Sequence, residues 1–313
     1  MSEVKISKRQ ARLQEAAETT IKRSLPSKIF GYGSLTIVVL VTLFPVYWML
    51  RTALSTSKTL FSDPTGLAPV NFTLGGFARV FGLSTNEQAL AEGGSGASVN
   101  FGLFFMNSII VCTILTLSQV FFSAAAAYAF SILKFKGRDA IFFLFIIALT
   151  VPGIFLVLPN YLFIRELHLL NNLLGIMLPG LFMAPFAIFF LRQFFLGTNL
   201  SIVEAAIIDG ANHFKIFTRI VVPLAWPQII TLAILQFIAA WNDYLWPFYV
   251  GSGKPESTLL TVGLGVFKSQ TPQGSPDWSG LMAAALVAAV PMIIMMIFAG
   301  KKIVGSIQAS GVK

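Results

Sequence analysis

The chain has 313 residues, 56% of them hydrophobic and 11% charged, with a formal net charge of +9 at pH 7. Soluble domains carry roughly 45–50% apolar and about 25% charged residues, so this composition excludes an ordinary soluble enzyme and describes an integral membrane protein. The positive charge does not mark a nucleic-acid binder, because the basic residues form no single aromatic-interleaved patch and the apolar runs leave no soluble domain to hold one.

Residues 1–28 are a polar arm with seven Lys or Arg, followed by an apolar run from Ile29 to Leu50. A secretory signal has an apolar region of about 7–15 residues and a small-residue cleavage site. This run is longer and continues into Arg51-Thr52-Ala53, which predicts an uncleaved first membrane helix. A spanning helix needs about 20 mostly apolar residues, since every backbone group must be satisfied inside the segment. The charge-free windows are Ile29 to Leu50, a stretch of Gly93 to Leu133 whose apolar part begins near Phe101, Ala140 to Ile164, Leu169 to Leu191, Ile220 to Asn242, and Trp278 to Gly300. The expected fold class is therefore all-α: a polytopic membrane protein with six transmembrane helices in residues 29–304, a polar loop at 192–223 and a tail at 305–313. Pro152, Pro159, Pro179 and Pro185 fall inside spans and predict kinks.

Cytoplasmic loops carry the excess of Lys and Arg. The arm holds seven, and residues 134–140, 192–219 and 301–313 hold three each; residues 51–100 hold three, position 165 one and residues 243–277 two. Both termini and the 192–223 loop are thus expected in the cytoplasm. The 51–100 and 251–277 segments are expected outside, either as solvated connections or as surfaces for a partner. The first of them ends in the flexible run Gly93-Gly94-Ser95-Gly96.

Within the polar loop, Ser201-Ile202-Val203-Glu204 has capping-box spacing, with Ser201 as N-cap and Glu204 reaching back to the helix start. Ala205 and Ala206 favour helix, Gly210 suits a left-handed terminator, a second helix is expected from about Asn212, and Pro223 is expected to open the next span. Capping and turn formation by themselves account for these residues. A second reading is that Glu204 offers its carboxylate to a cationic partner, with the small alanines allowing close approach.

Polar groups at membrane depth tend to face a bundle interior or a water-filled cavity. Asn107, Tyr128, Asn160, Gln236, Trp241 and Asn242 are the candidate pathway residues, because aromatic faces stack on apolar ring faces and amides bond hydroxyl groups. An interfacial aromatic belt explains the tryptophan equally well. Cys112 is the only cysteine and lies in an apolar run, so no internal disulfide or thiolate metal cluster is expected. His168 and His213 fall on opposite predicted faces with no ligand spacing around them and read as loop histidines. Gly251-Ser252-Gly253-Lys254 looks like part of a phosphate-binding loop, but Phe248 stands where the first Gly belongs and Pro255 follows the Lys.

The run EAAIIDGA at 204–211, with LRQFF at 191–195, FKIFTRIVVPL at 214–224 and FIAAWNDYLWPF at 237–248, resembles the membrane subunits of bacterial ABC importers. Together they look like the carbohydrate-uptake branch and specifically its maltose-type second permease subunit, strongly from Val151 onwards. Val222 stands where the family pattern prefers Leu, and Asn199 and Leu200 stand near where it often has Pro. The resemblance implies that the loop forms coupling helices seated in a separate ATPase. Glu204, Ala205, Ala206 and Gly210 carry over by motif position, and Asp209, Ala211 and Phe214 beside them complete the expected ATPase-coupling set. The tail Ala309 to Lys313 also resembles a family tail that reaches toward the ATPase. The implied partners are a second homologous permease, two copies of the ATPase, an extracytoplasmic solute-binding protein and the lipid bilayer. No nucleic acid is implied, and ATP and Mg are used by the ATPase, with no cofactor or metal on this chain. The implied setting is a bacterial inner membrane, and the implied cargo a sugar or oligosaccharide. Import of another small polar solute and ion-coupled secondary transport are the alternatives; the second would need intramembrane ionisable groups, which the spans almost lack.

Overall fold

The computed structural model describes residues 25–95, 100–269 and 276–311. Most of the N-terminal arm, Gly96, part of the 251–277 segment and the last two residues of the tail lie outside the described residues. Among the described residues every regular element is helical. They fall into two compact units, the first ending at Leu50 and the second beginning at Arg51. In the first, the helix that runs over Leu25–Ala53 contains Pro45, and Phe44 packs its ring 5.6 Å from that of Trp48.

The second unit contains two long uninterrupted apolar helices, Phe101–Ser131 and Trp278–Gly311. Three further spans are broken into pairs: Arg138–Leu149 with Ile154–Glu166, bent by 102°; Leu173–Gly180 with Pro185–Phe195, bent by 45°; and His213–Leu224 with Trp226–Asn242, bent by 81°. With Ile29–Ala53, these make six spans. The first two breaks follow from proline chemistry. Pro152 has no N–H to continue a helix, and it lies with Gly153 between the halves of the third span. Pro185 starts the second half of the fourth, where a missing N–H costs nothing. Pro159 lies inside the continuous helix Ile154–Glu166, and Pro179 in a short 3₁₀ turn.

A broken helix at membrane depth leaves backbone groups that lipid cannot satisfy. The second span supplies the partners for the fourth: Gln119 Nε2 donates to the Gly180 carbonyl at 2.6 Å, Ser118 Oγ to that of Leu181, and Ser123 Oγ accepts from Ala184 N–H at 3.3 Å. Close approach is possible because the facing residues are small. Ala124 and Ala127 of the second span and Ala187 of the fourth are buried in one cluster, with Leu191 and Phe195.

The 51–95 segment is folded, with short helices at Gly75–Val80 and Asn86–Ala91, the second opened by a Thr85–Gln88 capping box. It is locked to the start of the last span by a buried ion pair. Arg79 reaches Asp277 through Nε at 2.8 Å and Nη2 at 3.0 Å, and Glu92 through Nη1 at 2.8 Å. The Arg79 side chain is 2% exposed and that of Asp277 fully buried. Ser57 Oγ and the N–H groups of Ser95 and Gly280 complete the bonding of the Asp277 carboxylate.

Candidate functional site

The polar loop forms an elbow. Its first helix, Leu200–Ile208, begins at Asn199, whose Oδ1 accepts from Ser201 N–H at 3.1 Å and from Ser201 Oγ at 2.8 Å. The expected capping box is therefore corrected: Ser201 is already inside the helix, Asn199 caps it, and Glu204 is exposed with no hydrogen bond or ion pair among the described residues. The helix ends in a Schellman arrangement, with Gly210 N–H on the Ile207 carbonyl and Ala211 N–H on that of Ala206. That arrangement needs a left-handed residue, and Gly210 has φ +78°. Asn212 Oδ1 then accepts from Lys215 N–H at 2.9 Å and caps the helix His213–Ile216.

A π-helical turn follows at Phe217–Val221, closed by Val222 N–H on the Phe217 carbonyl. Pro223 does not open the next span, as the sequence suggested. It sits in the first half of the broken fifth span, before the bend at Ala225, and the second half starts at Trp226 with Pro227 in its first turn. Pro223, which has no N–H to donate, lies in the short turn Val222–Leu224 that follows the π-helical one, ahead of the 81° bend.

The elbow has two faces. Val203, Ile216, Phe217 and Val221 are buried against the second, fourth and fifth spans, with Ala206 and Ala211 packed beside them. Tyr128 Oη and His213 Nδ1 lie 3.0 Å apart, tying the second span to the elbow. On the other face Glu204, Ala205 and Asp209 are exposed. So are two large apolar side chains, Ile208 at 86% and Phe214 at 71%. A carboxylate without a partner beside bare apolar surface makes a face suited to docking.

A cavity of about 520 Å³ lies among the second, third, fourth and fifth spans. Gly153 at one helix break and Pro179, Gly180 and Ala184 at another form part of its wall, with Gln119, Asn160, Gln236, Asn242 and Asp243 as its polar groups. Gln236 Nε2 donates to Gln119 Oε1 at 2.8 Å, so an amide chain runs from Gln236 through Gln119 to the Gly180 carbonyl. Trp246 forms an aromatic wall, its indole N–H held by the Ile176 carbonyl at 2.9 Å.

Residues 119–304 match the family described as binding-protein-dependent transport system inner membrane component. The chain belongs to this family. It is 32% identical over 281 residues to an arabinooligosaccharides transport system permease protein, AraQ, of Bacillus subtilis strain 168, covering 88% of this chain and 92% of that one. It is 30% identical over 279 residues to the trehalose/maltose transport system permease protein MalG of Thermococcus litoralis, covering 88% and 94%. The fold is also that of a chain in the crystal structure of a bacterial ABC transporter involved in the import of the acidic polysaccharide alginate, with a TM-score of 0.72 at 23% identity over 90% of this chain and 99% of that one.

In this transport-family chain, three of the six pathway candidates, Asn160, Gln236 and Asn242, line the cavity. The other three are engaged inside the fold. Asn107 Nδ2 donates to the carbonyls of Thr258 at 3.0 Å and Glu256 at 3.1 Å. Tyr128 belongs to the elbow contact. Trp241 is 5% exposed, stacks on Phe237 and donates its indole N–H to the Ala288 carbonyl. The cavity tryptophan is Trp246, which the sequence reading passed over because only the turn after Asn242 aims it there. His168 ends the third span with φ +56°, and Cys112 is buried among apolar neighbours.

Proposed function

We propose that this chain is a permease subunit of an ATP-driven, binding-protein-dependent importer of sugars or oligosaccharides in a bacterial inner membrane. The elbow carries the reading. Its inner face is continuous with three spans through one buried cluster, while its outer face presents Glu204, Ile208 and Phe214 to water. An ATPase seated on that outer face would move the spans with it. The Lys and Arg distribution supports a cytoplasmic position for the elbow and both termini, the side on which ATP is found. A second permease, two copies of the ATPase and an extracytoplasmic binding protein complete the assembly, with ATP and Mg on the ATPase. The sugar assignment draws on relatives named for arabinooligosaccharides and for trehalose and maltose.

The test separates docking from helix capping. Asn199→Ala removes the observed cap and costs about 0.5–2 kcal/mol locally. Glu204→Gln removes only a charge that nothing within the described chain uses. Glu204→Gln is expected to lower ATPase co-purification and ATP-driven uptake in proteoliposomes while the permease stays folded. Wild-type uptake and complex yield in Glu204→Gln would remove the carboxylate from the interface.

A further inference from the structure

The cavity among the broken spans has unspent hydrogen-bonding capacity of one kind. The Asn160 amide makes no hydrogen bond among the described residues, and Gln236 Oε1 and Asn242 Oδ1 remain open although the Nε2 and Nδ2 groups of those residues are engaged. Unpaired amides inside a span are costly against lipid and are accounted for when they line a wet, ligand-receiving space. The volume, about 520 Å³, lies within the range of about 300–1,000 Å³ for small-molecule sites. Trp246 supplies a ring held by its own N–H, leaving the ring face for the apolar side of a sugar.

Among the described residues, none that lines the cavity is Lys, Arg or His, and one, Asp243, is acidic. A phosphate or carboxylate brought here would give up its water without gaining a cation. A sugar hydroxyl loses little, because amide oxygens accept from it and amide N–H groups donate to it. Resting on the importer reading above, we propose that this cavity takes uncharged, polyhydroxylated substrate, and that Asn160, Gln236 and Asn242 select neutral saccharides over phosphorylated or uronate-bearing ones. Substrate selection would then be exercised partly by this subunit.

The test uses the full chain assembled with its partner permease and ATPase in nanodiscs, without binding protein, so that the membrane site is read directly. The probes are maltotriose and arabinotriose as neutral saccharides, and sn-glycerol 3-phosphate and a diuronic acid as anions. Binding is followed by saturation-transfer NMR and tryptophan fluorescence. Neutral probes are expected to bind, and the anions at least about tenfold more weakly. In assembled complexes Asn160→Leu and Gln236→Leu should each weaken neutral binding by about tenfold, the effect of an unpaired polar group at a site. Asn160→Lys should raise anion binding. Anions binding as well as neutral probes, an Asn160→Leu complex with undiminished binding, or no probe bound by a complex whose ATP-driven uptake is intact would each overturn the proposal. Failure of the importer reading would show differently, as uptake indifferent to ATP and to the ATPase.

Discussion

Burial works against the Asp277 carboxylate, yet the Arg79 guanidinium, the N–H groups of Gly280 and Ser95 and the Ser57 hydroxyl together hold it below its ordinary range. A carboxylate with a depressed folded-state pKa stabilises the fold above its unfolded value of about 4, and that contribution is lost as pH falls through the folded value. Thermal stability of the purified chain, as far as Asp277 sets it, is therefore expected to be flat from about pH 8 to about pH 5 and to fall below about pH 4. Removing one partner of a buried pair costs about 3–5 kcal/mol. Asp277→Asn should accordingly lower the melting temperature at neutral pH and shrink the acid decline. An acid decline unchanged in Asp277→Asn would show that other carboxylates govern it. None of this was legible in sequence, since Arg79 and Asp277 are 198 positions apart and each reads as an ordinary loop charge. Glu204 is the opposite case: its motif was legible, but its freedom was not, because whether Ser201 or Asn199 caps the helix depends on where the chain leaves the fourth span.

At the level of elements, the elbow is a helix, a left-handed glycine and a second helix whose direction relative to the first is set by one residue. A Cβ built on Gly210 would meet nothing within 4 Å, so only the backbone at φ +78° resists substitution. Left-handed backbone costs an ordinary L-residue about 1–2 kcal/mol, Asn less, and a β-branched residue most. Gly210→Asn is expected to keep ATP-driven uptake within about twofold, and Gly210→Val to lower it about tenfold or more while still inserting in the membrane. Equal uptake by Gly210→Val and wild type would remove the turn from the mechanism. The broken spans were half legible. Pro152 and Pro185 announced two of the breaks, but Pro159 sits in unbroken helix, and the bend within the fifth span falls at Ala225 instead of Pro223. A proline removes one donor; whether the helix bends there depends on what neighbouring helices offer the freed carbonyl.

For the whole molecule, the proposed function places the energy source in another polypeptide. The one fragment resembling a phosphate-binding loop is built into the fold: Gly253 N–H is bonded to Asn171 Oδ1 at 2.8 Å and Gly251 packs against Ser257 and Ile176. Its backbone is not splayed to cradle an anion. The purified chain is expected to hydrolyse no ATP, and hydrolysis should appear when the ATPase is added; turnover by the chain freed of contaminating ATPase would overturn the assignment. Sequence alone established a six-span helical membrane chain and the elbow's turn at Gly210. Both are local properties, hydropathy summed over a membrane's thickness and the φ that a single residue can adopt. Only the tertiary structure decided that Glu204 is left without a partner among the described residues, that Trp241 is core while Trp246 faces the cavity, and that Gln119 and Gln236, 117 positions apart, join into one amide chain. Those outcomes depend on where broken helices turn and which neighbours satisfy the exposed backbone, and no local pattern encodes that.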